Sequence, residues 1–424
     1  MSSENETLDR GALEGLQLQK LQEILALVLK QNPFYQQKLR AAGIHQPEDV
    51  QTLADYRRLP FTTKAELSAD QDAHRPYGTN LTFPLEHFIR IHQTSGTTGK
   101  PLRWLDTEES WDWFARCWES VYRGAGVTAE DRLFFAFSFG PFIGFWTAHE
   151  GARTIGAMSI SGGAMSSIQR LQAIEDYQAT VLVCTPTYAL HLAEVAEAEG
   201  IDIAGSSIRT TIHAGEPGAS LPGTKGRIEQ AWDARCYDHV GATEVGAWGF
   251  ECHVREGMHL NEGEFICEVI DPDSDEFAAE GELVITNLGR VGMPVIRYRT
   301  GDRVKLQTEP CACGRTFFRL EGGVIGRLDD AMIIRGVNVY PSSIENVVRG
   351  FPEVTEFAVD IYQRHAMDDM EIRMEVNGGE PGSIAEAVAK EVRHVLGIRT
   401  YVQTVPNNTL PRFELKARRF TDHR

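Results

Sequence analysis

The sequence predicts an α/β protein: a large N-terminal domain of parallel sheets covered by helices with a β-rich subdomain, followed by a small α+β C-terminal domain. Three observations carry this prediction. From about residue 152, apolar runs alternate between strand and helix periods. Residues 264–320 change to short β patterns with turns at Asp271-Pro272 and Asn287, and residues 329–424 read as one compact α+β pattern of ordinary domain size. At 424 residues the chain exceeds what one hydrophobic core usually serves, so domains of 1–328 and 329–424 are expected.

The first element is a helix. Leu18, Leu21, Ile24, Leu25 and Val28 recur at helical spacing within residues 8–31 and stop before Asn32-Pro33, so this amphipathic segment packs on the body. Phe88-Ile89-Arg90-Ile91 reads as a strand leading into a Gly/Thr-rich loop. The alternating region then gives strands at 154–160, 180–185, 209–214 and 234–240, with helices at 166–177, 188–199 and 226–232 between them. In parallel sheets, ligands sit beyond the carboxyl ends of the strands. That rule singles out the turns Thr185-Pro186, Gly215-Glu216-Pro217 and Gly241-Ala242-Thr243-Glu244. The C-terminal residues read strand, helix, strand, strand, helix, strand, with helices at 342–349 and 383–396 and strands at 356–361, 371–376 and 401–405.

A formal charge of −18 excludes a nucleic-acid or anionic-membrane surface as the main partner, yet permits a nucleotide held at a local positive site. Residues 1–20 are polar and acidic with no apolar signal-type stretch, and no apolar run is long enough to span a bilayer. A cytoplasmic location is expected. Seven cysteines over this length fit reduced thiols or a metal site better than a disulfide framework.

The loop Thr94-Ser95-Gly96-Thr97-Thr98-Gly99-Lys100-Pro101 is composed to hold phosphate. Its glycines let backbone N–H groups turn inward, its hydroxyls add donors, and Lys100 supplies a point charge. It differs from the common P-loop, because Thr94 stands at the first glycine position and Pro101 follows the lysine. The order of these residues resembles the phosphate loop of the acyl-adenylate-forming enzymes. Within that superfamily, Ser161-Gly162-Gly163 and Gly336-Val337-Asn338-Val339-Tyr340-Pro341 resemble the phenylacetate:CoA ligase branch, and the likeness runs over nearly the whole chain.

The resemblance implies a set of roles. Thr243-Glu244 matches the motif whose glutamate holds Mg²⁺ on the nucleotide phosphates, and a hard oxygen ligand suits that ion. Val240 stands where many relatives have an adenine-packing tyrosine, so adenine contacts fall to Ala214, Gly215, Glu216 and Pro217. Tyr298-Arg299-Thr300-Gly301-Asp302 matches the motif whose aspartate accepts both ribose hydroxyls, a task suited to an acceptor-only carboxylate. Arg327 falls near the ribose and Asp329 at the interdomain hinge. Lys416, within Pro411-Arg412-Phe413-Glu414-Leu415-Lys416-Ala417, matches the adenylation lysine, although Leu415 replaces the usual small residue. Arg335, Gly336, Val337 and Asn338 would face a pantetheine thiol after rotation of the C-terminal lid.

Beyond Ser138, glycines break an aromatic strand, so Phe139, Gly140 and Phe142 resemble an acyl-pocket wall for a benzoate- or phenylacetate-like acid. Gly241 lines the same pocket, and His213 and His239 read equally as polar pocket contacts or as satisfied strand-end histidines. Cys311-Ala312-Cys313-Gly314 reads equally as a zinc knuckle or as two buried thiols. Cys252 and His259 would complete a Cys₃His set, with His253 competing for the fourth place, and the family resemblance favours structural zinc.

The implied activity is that of an AMP-forming aryl-CoA ligase using ATP, Mg²⁺ and coenzyme A. The same thiol chemistry would serve a carrier protein's phosphopantetheine arm. Arg412, Arg418 and Arg419 are candidate contacts for the CoA 3′-phosphate. A nucleotide-binding homologue without turnover is the reading from another class, and related ligases extend the expectation of a homodimer.

Overall fold

The computed structural model describes residues 4–94, 101–140, 143–144, 146–334, 337–364, 367–413 and 418–424. The expected sites Ser95, Gly96, Thr97, Thr98, Gly99, Lys100, Phe142, Arg335, Gly336 and Lys416, and the side chain of Asn338, lie outside the described residues. Two compact units emerge, Met1–Ala164 with Tyr237–Gly323 and Met165–Cys236 with Val324–Arg424. Among the described residues, no helix is long and apolar enough to cross a membrane.

The first unit begins with the expected amphipathic helix, Arg10–Gln31. Asp9 caps it by accepting from the Ala12 N–H at 2.9 Å, and Leu21, Ile24, Leu25 and Val28 pack with Ile266, Leu288 and Ile296. Asn32 ends that helix and caps the next, Pro33–Ala41, which opens on proline. Phe88–Gln93 and Arg103–Thr107 pair as an antiparallel hairpin on either side of the expected phosphate loop. At the end of the first strand, Thr94 Oγ1 accepts the Leu102 N–H at 3.0 Å, so this hydroxyl bridges the two strands.

Arg132–Phe135 and Met158–Ser161 pair in parallel, as alternation requires. The strand expected at 154–160 starts late, because residues through Thr154 complete the helix Trp146–Thr154 and Gly156, at φ +77, makes the break. Antiparallel pairing begins earlier than expected. Arg235–Ala242, Gly246–Glu251 and Met258–Leu260 already form a meander before Phe265–Ile270, Glu280–Asn287 and Tyr298–Gln307 continue the β-rich region. Gly246–Glu251 is buried at every residue, so it carries no alternation to read.

In the second unit, Ser166 and Gln169 form a capping box that starts Ser167–Asp176, and Val181–Cys184 pairs in parallel with Thr210–His213. The C-terminal part adds a short hairpin, Met332–Ile334 with Val337–Val339, to the expected pattern. A four-stranded sheet follows in the order Tyr401–Val405, Met367–Val376, Val354–Arg364, Phe420–Asp422. Ile344, Val348, Phe357, Ile372 and Val388 belong to the core cluster that the helices Pro341–Arg349 and Pro381–Leu396 share with these strands.

Candidate functional site

In the first unit, two motifs far apart in sequence meet. The Tyr298 hydroxyl donates to Glu244 Oε1 at 2.9 Å, which orients a half-buried carboxylate and leaves Oε2 without a partner among the described residues. A partly exposed, singly engaged carboxylate fits a hard divalent cation. Asp302 lies in a bulge. Glu282 faces Arg303 and Val284 faces Arg299, so the intervening residues loop out around Gly301 at φ +76. Buried Glu282 pins the bulge by accepting from Gly301 N–H at 3.0 Å and Arg299 Nε at 2.7 Å.

The Thr243-Glu244 turn rests on a pair that sequence reasoning missed. Arg290 Nη1 donates to the Thr243 carbonyl, while Nε and Nη2 hold Asp106 at 2.7 and 2.6 Å. Both side chains are fully buried. Asp106 stands on the second strand of the hairpin that flanks the expected phosphate loop, so one guanidinium ties that hairpin to the glutamate turn. An Asp followed far downstream by an isolated Gly-Arg leaves no local signal of this pairing.

In the second unit, Gly215 at φ +96 makes the Ala214–Pro217 turn, and Glu216 Oε1 accepts the Thr187 N–H at 2.9 Å, at the start of helix Pro186–Glu199. The expected adenine-side turn is thus anchored to a helix N-terminus. Arg327 and Asp329 form a bidentate pair at 2.8 and 3.2 Å, both part-exposed. Val337 lies on the short hairpin.

Burial lowers His213 and His239 to a pKa of about 4, so both are neutral near pH 7. His213 Nδ1 donates to the Cys184 carbonyl at 3.2 Å and His239 Nδ1 to that of Gly249 at 2.7 Å, which leaves each Nε2 an acceptor. A Cβ on Gly241 would lie 3.4 Å from His239 Nε2. Phe139 packs edge-on against Phe137, Trp146 and His149, and the Trp146 indole donates to the Gly140 carbonyl at 3.1 Å. Gly140 and Trp146 also line a cavity of about 290 Å³ with Ile89, Ile91, His92 and Trp111.

The four expected metal ligands converge. The ligand atoms of Cys252, His259, Cys311 and Cys313 all lie within 4.8 Å of one another. Cys252 and Cys311 sulfurs are 3.8 Å apart, and Cys313 Sγ is 3.4 Å from His259 Nε2. Tetrahedral zinc bonds of about 2.3 Å to sulfur and 2.0–2.1 Å to nitrogen imply separations of about 3.8 and 3.5 Å, so the donor set fits. His259 Nδ1 donates to the Phe317 carbonyl at 3.3 Å, which aims Nε2 at the thiols. His253 is not part of the cluster.

Two of the three arginines considered for CoA are already engaged. Arg412 meets Glu194 and Glu375, and buried Arg419 holds Glu356 at 2.6 and 3.2 Å; Arg418 is exposed.

The fold and these motif-bearing turns define an acyl-adenylate-forming enzyme, and comparison with known proteins narrows the class. Residues 336–424 match the AMP-binding enzyme C-terminal domain family. The phenylacetate-coenzyme A ligase of Thermus thermophilus is 33% identical, aligned over 99% of each chain. A crystal structure of 2-hydroxyisobutyryl-CoA ligase in the postadenylation state, with an acyl-AMP ligand, shares 30% identity at a TM-score of 0.93, covering 99% of this chain and 91% of the other. The same enzyme in its thioesterification state gives 0.74 at 31% identity and the same coverage. The chain belongs to the phenylacetate-coenzyme A ligase family of acyl-adenylate-forming enzymes.

Proposed function

We propose that the protein activates an aromatic carboxylic acid, phenylacetate- or benzoate-like, with ATP and transfers the acyl group to coenzyme A, releasing AMP and pyrophosphate. The observation that carries this reading is the Tyr298–Glu244 hydrogen bond, which joins the Thr-Glu turn to the Asp302 bulge in a chain aligned end to end with a phenylacetate-coenzyme A ligase. A carboxylic acid of pKa about 4 is ionised at neutral pH, so the first step needs alignment and charge compensation rather than a base. The carboxylate attacks the α-phosphorus, and the bond to pyrophosphate breaks. Lys100 and the loop hydroxyls would hold the departing pyrophosphate, Lys416 would compensate charge between carboxylate and α-phosphate, and Asp302 would accept the ribose hydroxyls. Glu244 would hold Mg²⁺, which supplies further charge neutralisation when bound. In the second step the CoA sulfur, having lost its proton, attacks the acyl carbon and AMP leaves.

In this reading residues 329–424 are a lid that turns about Asp329 and brings the 335–338 loop to the thiol. Neutral His213 and His239 and the Phe139 wall would border the acyl group. Structural zinc would occupy Cys252, His259, Cys311 and Cys313, and metal analysis should find about one zinc per chain. The reduced cysteines and ATP-dependent chemistry fit a cytoplasmic enzyme. Among the described residues, none points to a homodimer or to a carrier-protein acceptor.

The test is mass spectrometry of the protein with Mg-ATP, CoA and pooled benzoic, phenylacetic, cinnamic and short aliphatic acids. An acyl-CoA with AMP is expected, and Lys416→Ala should slow its formation by orders of magnitude. Acyl-adenylate without thioester would move the acceptor to a carrier protein. No acid-dependent AMP from any pool would overturn the activity.

A further inference from the structure

Arg412 lies between two carboxylates from different parts of the second unit. Its Nε donates to Glu194 Oε2 at 3.0 Å, on helix Pro186–Glu199, and its Nη2 to Glu375 Oε2 at 2.7 Å, on strand Met367–Val376. The two carboxylates differ in character. Glu375 is fully buried and also accepts the N–H groups of Leu410 at 2.6 Å and Asn408 at 3.0 Å. Burial would raise its pKa, but the Arg412 hydrogen bond and these two amides outweigh it and hold the carboxyl below its usual range. Glu194 is 36% exposed. Residues 408–412 are therefore fastened to their own sheet through Glu375 and to the 186–199 helix through Glu194, four positions before Lys416.

Two neighbouring contacts run across the same pair of segments. Arg227 Nη1 donates to the Val354 carbonyl at 2.7 Å, and a Cβ on Gly223 would come within 3.0 Å of the Arg349 and Gly350 backbone. These contacts seat helix Pro222–Trp232 against the C-terminal part by shape, and Glu194–Arg412 adds a charged, part-exposed contact.

We propose that Glu194 and Arg412 form a latch that holds the described residues 408–412 in place for adenylation and opens for thioester formation. This rests on the reading above, in which Lys416 serves the first step and the lid turns before the second. The chemistry suits a contact that must break in every cycle. A part-exposed ion pair contributes only about 0–1 kcal/mol, enough to bias an arrangement without trapping it. When Glu194 leaves, Arg412 keeps Glu375, so opening strands no buried charge. Both residues are positioning residues rather than catalytic ones.

The test separates the half-reactions in the full-length protein. Glu194→Gln should lower phenylacetate-dependent ATP–pyrophosphate exchange about two- to fivefold, the range a part-exposed pair can supply. Thioester formation from preformed phenylacetyl-adenylate and CoA should be unchanged or faster, and Glu194→Asp should restore part of the exchange. Equal loss in both half-reactions, or no loss in exchange, would overturn the latch. An acid-independent readout keeps the two readings apart. Spin labels at Ala198→Cys and Ala387→Cys, both exposed positions, should give one dominant distance that broadens or splits when Glu194→Gln is added. An unchanged distribution would overturn the latch. Absence of exchange with every acid would overturn the ligase reading while the distance measurement still decides the latch.

Discussion

Two arginine–carboxylate contacts in this molecule look alike on paper and differ in burial. Arg290 and Asp106 form a bidentate pair with both side chains at 0% exposure, and the same guanidinium holds the Thr243 carbonyl. Arg412 shares itself between a buried and a part-exposed carboxylate. The first pair has nowhere to go. Removing either partner strands a charge in the interior, so the Phe88–Thr107 hairpin and the Thr243-Glu244 turn are tied together. The second can lose one partner and remain compensated. A site that must align phosphates needs the first kind of contact, and a segment that must serve two half-reactions needs the second.

The largest effect is expected on the buried side. Arg290→Met should cost about 3–5 kcal/mol in denaturant unfolding, because Asp106 is left buried and unpaired. Arg290→Met combined with Asp106→Leu should recover most of that stability, since apolar pairs of similar volume often replace buried ion pairs at little cost. Adenylation should stay impaired in the double variant, because the Thr243 carbonyl has still lost its donor. A loss below about 1 kcal/mol for Arg290→Met would erase the contrast between the two contacts.

Acid tests the same side at intermediate size. His92, His213 and His239 are each lowered from 6.5 to about 4, with burial the leading cause. Between pH 6.5 and 4 the unfolded chain binds protons at these rings and the folded one does not, so stability falls as pH falls through that window. From pH 6.5 to 5 the loss should come to about 1.5 kcal/mol per histidine, read as a fall in melting temperature, and His213→Phe should flatten the profile. A melting temperature constant from pH 7 to 5 would mean that the rings are not held neutral. The Arg412–Glu375 contact should survive this range, because the Glu375 carboxyl is held below its usual pKa.

The sequence made local chemistry legible and left cross-chain pairing hidden. Elements with caps or strict period were readable, such as Ser167–Asp176 with its Ser166 capping box and the apolar Val181–Cys184 strand. The metal set was readable as residue types, but only geometry prefers His259 over His253. Gly246–Glu251 escaped because a strand buried on both faces has no alternation. Asp106 with Arg290, and Glu194 with Arg412, are 184 and 218 positions apart, so no motif window contains either pair. Glu282 was invisible for a related reason, since its task is to shape the bulge around Asp302 from the neighbouring strand.

The smallest effect falls on the latch, and its smallness is the point. Glu194→Gln should change unfolding stability by less than about 1 kcal/mol, because a part-exposed pair exchanges modest Coulomb attraction for side-chain ordering, and Arg412 keeps its buried partner. What distinguishes this contact from the Asp106–Arg290 pair is its response to salt. At about 1 M ionic strength the screening length shrinks to roughly 3 Å, and exposed charges lose most of their attraction while buried ones do not. The difference in adenylation rate between the native protein and Glu194→Gln should therefore shrink as salt rises, whereas the penalty of Arg290→Met should persist. A latch defect that is insensitive to salt would place Glu194 among the rigid contacts and remove the distinction between a pair that holds the site and a pair that lets it change.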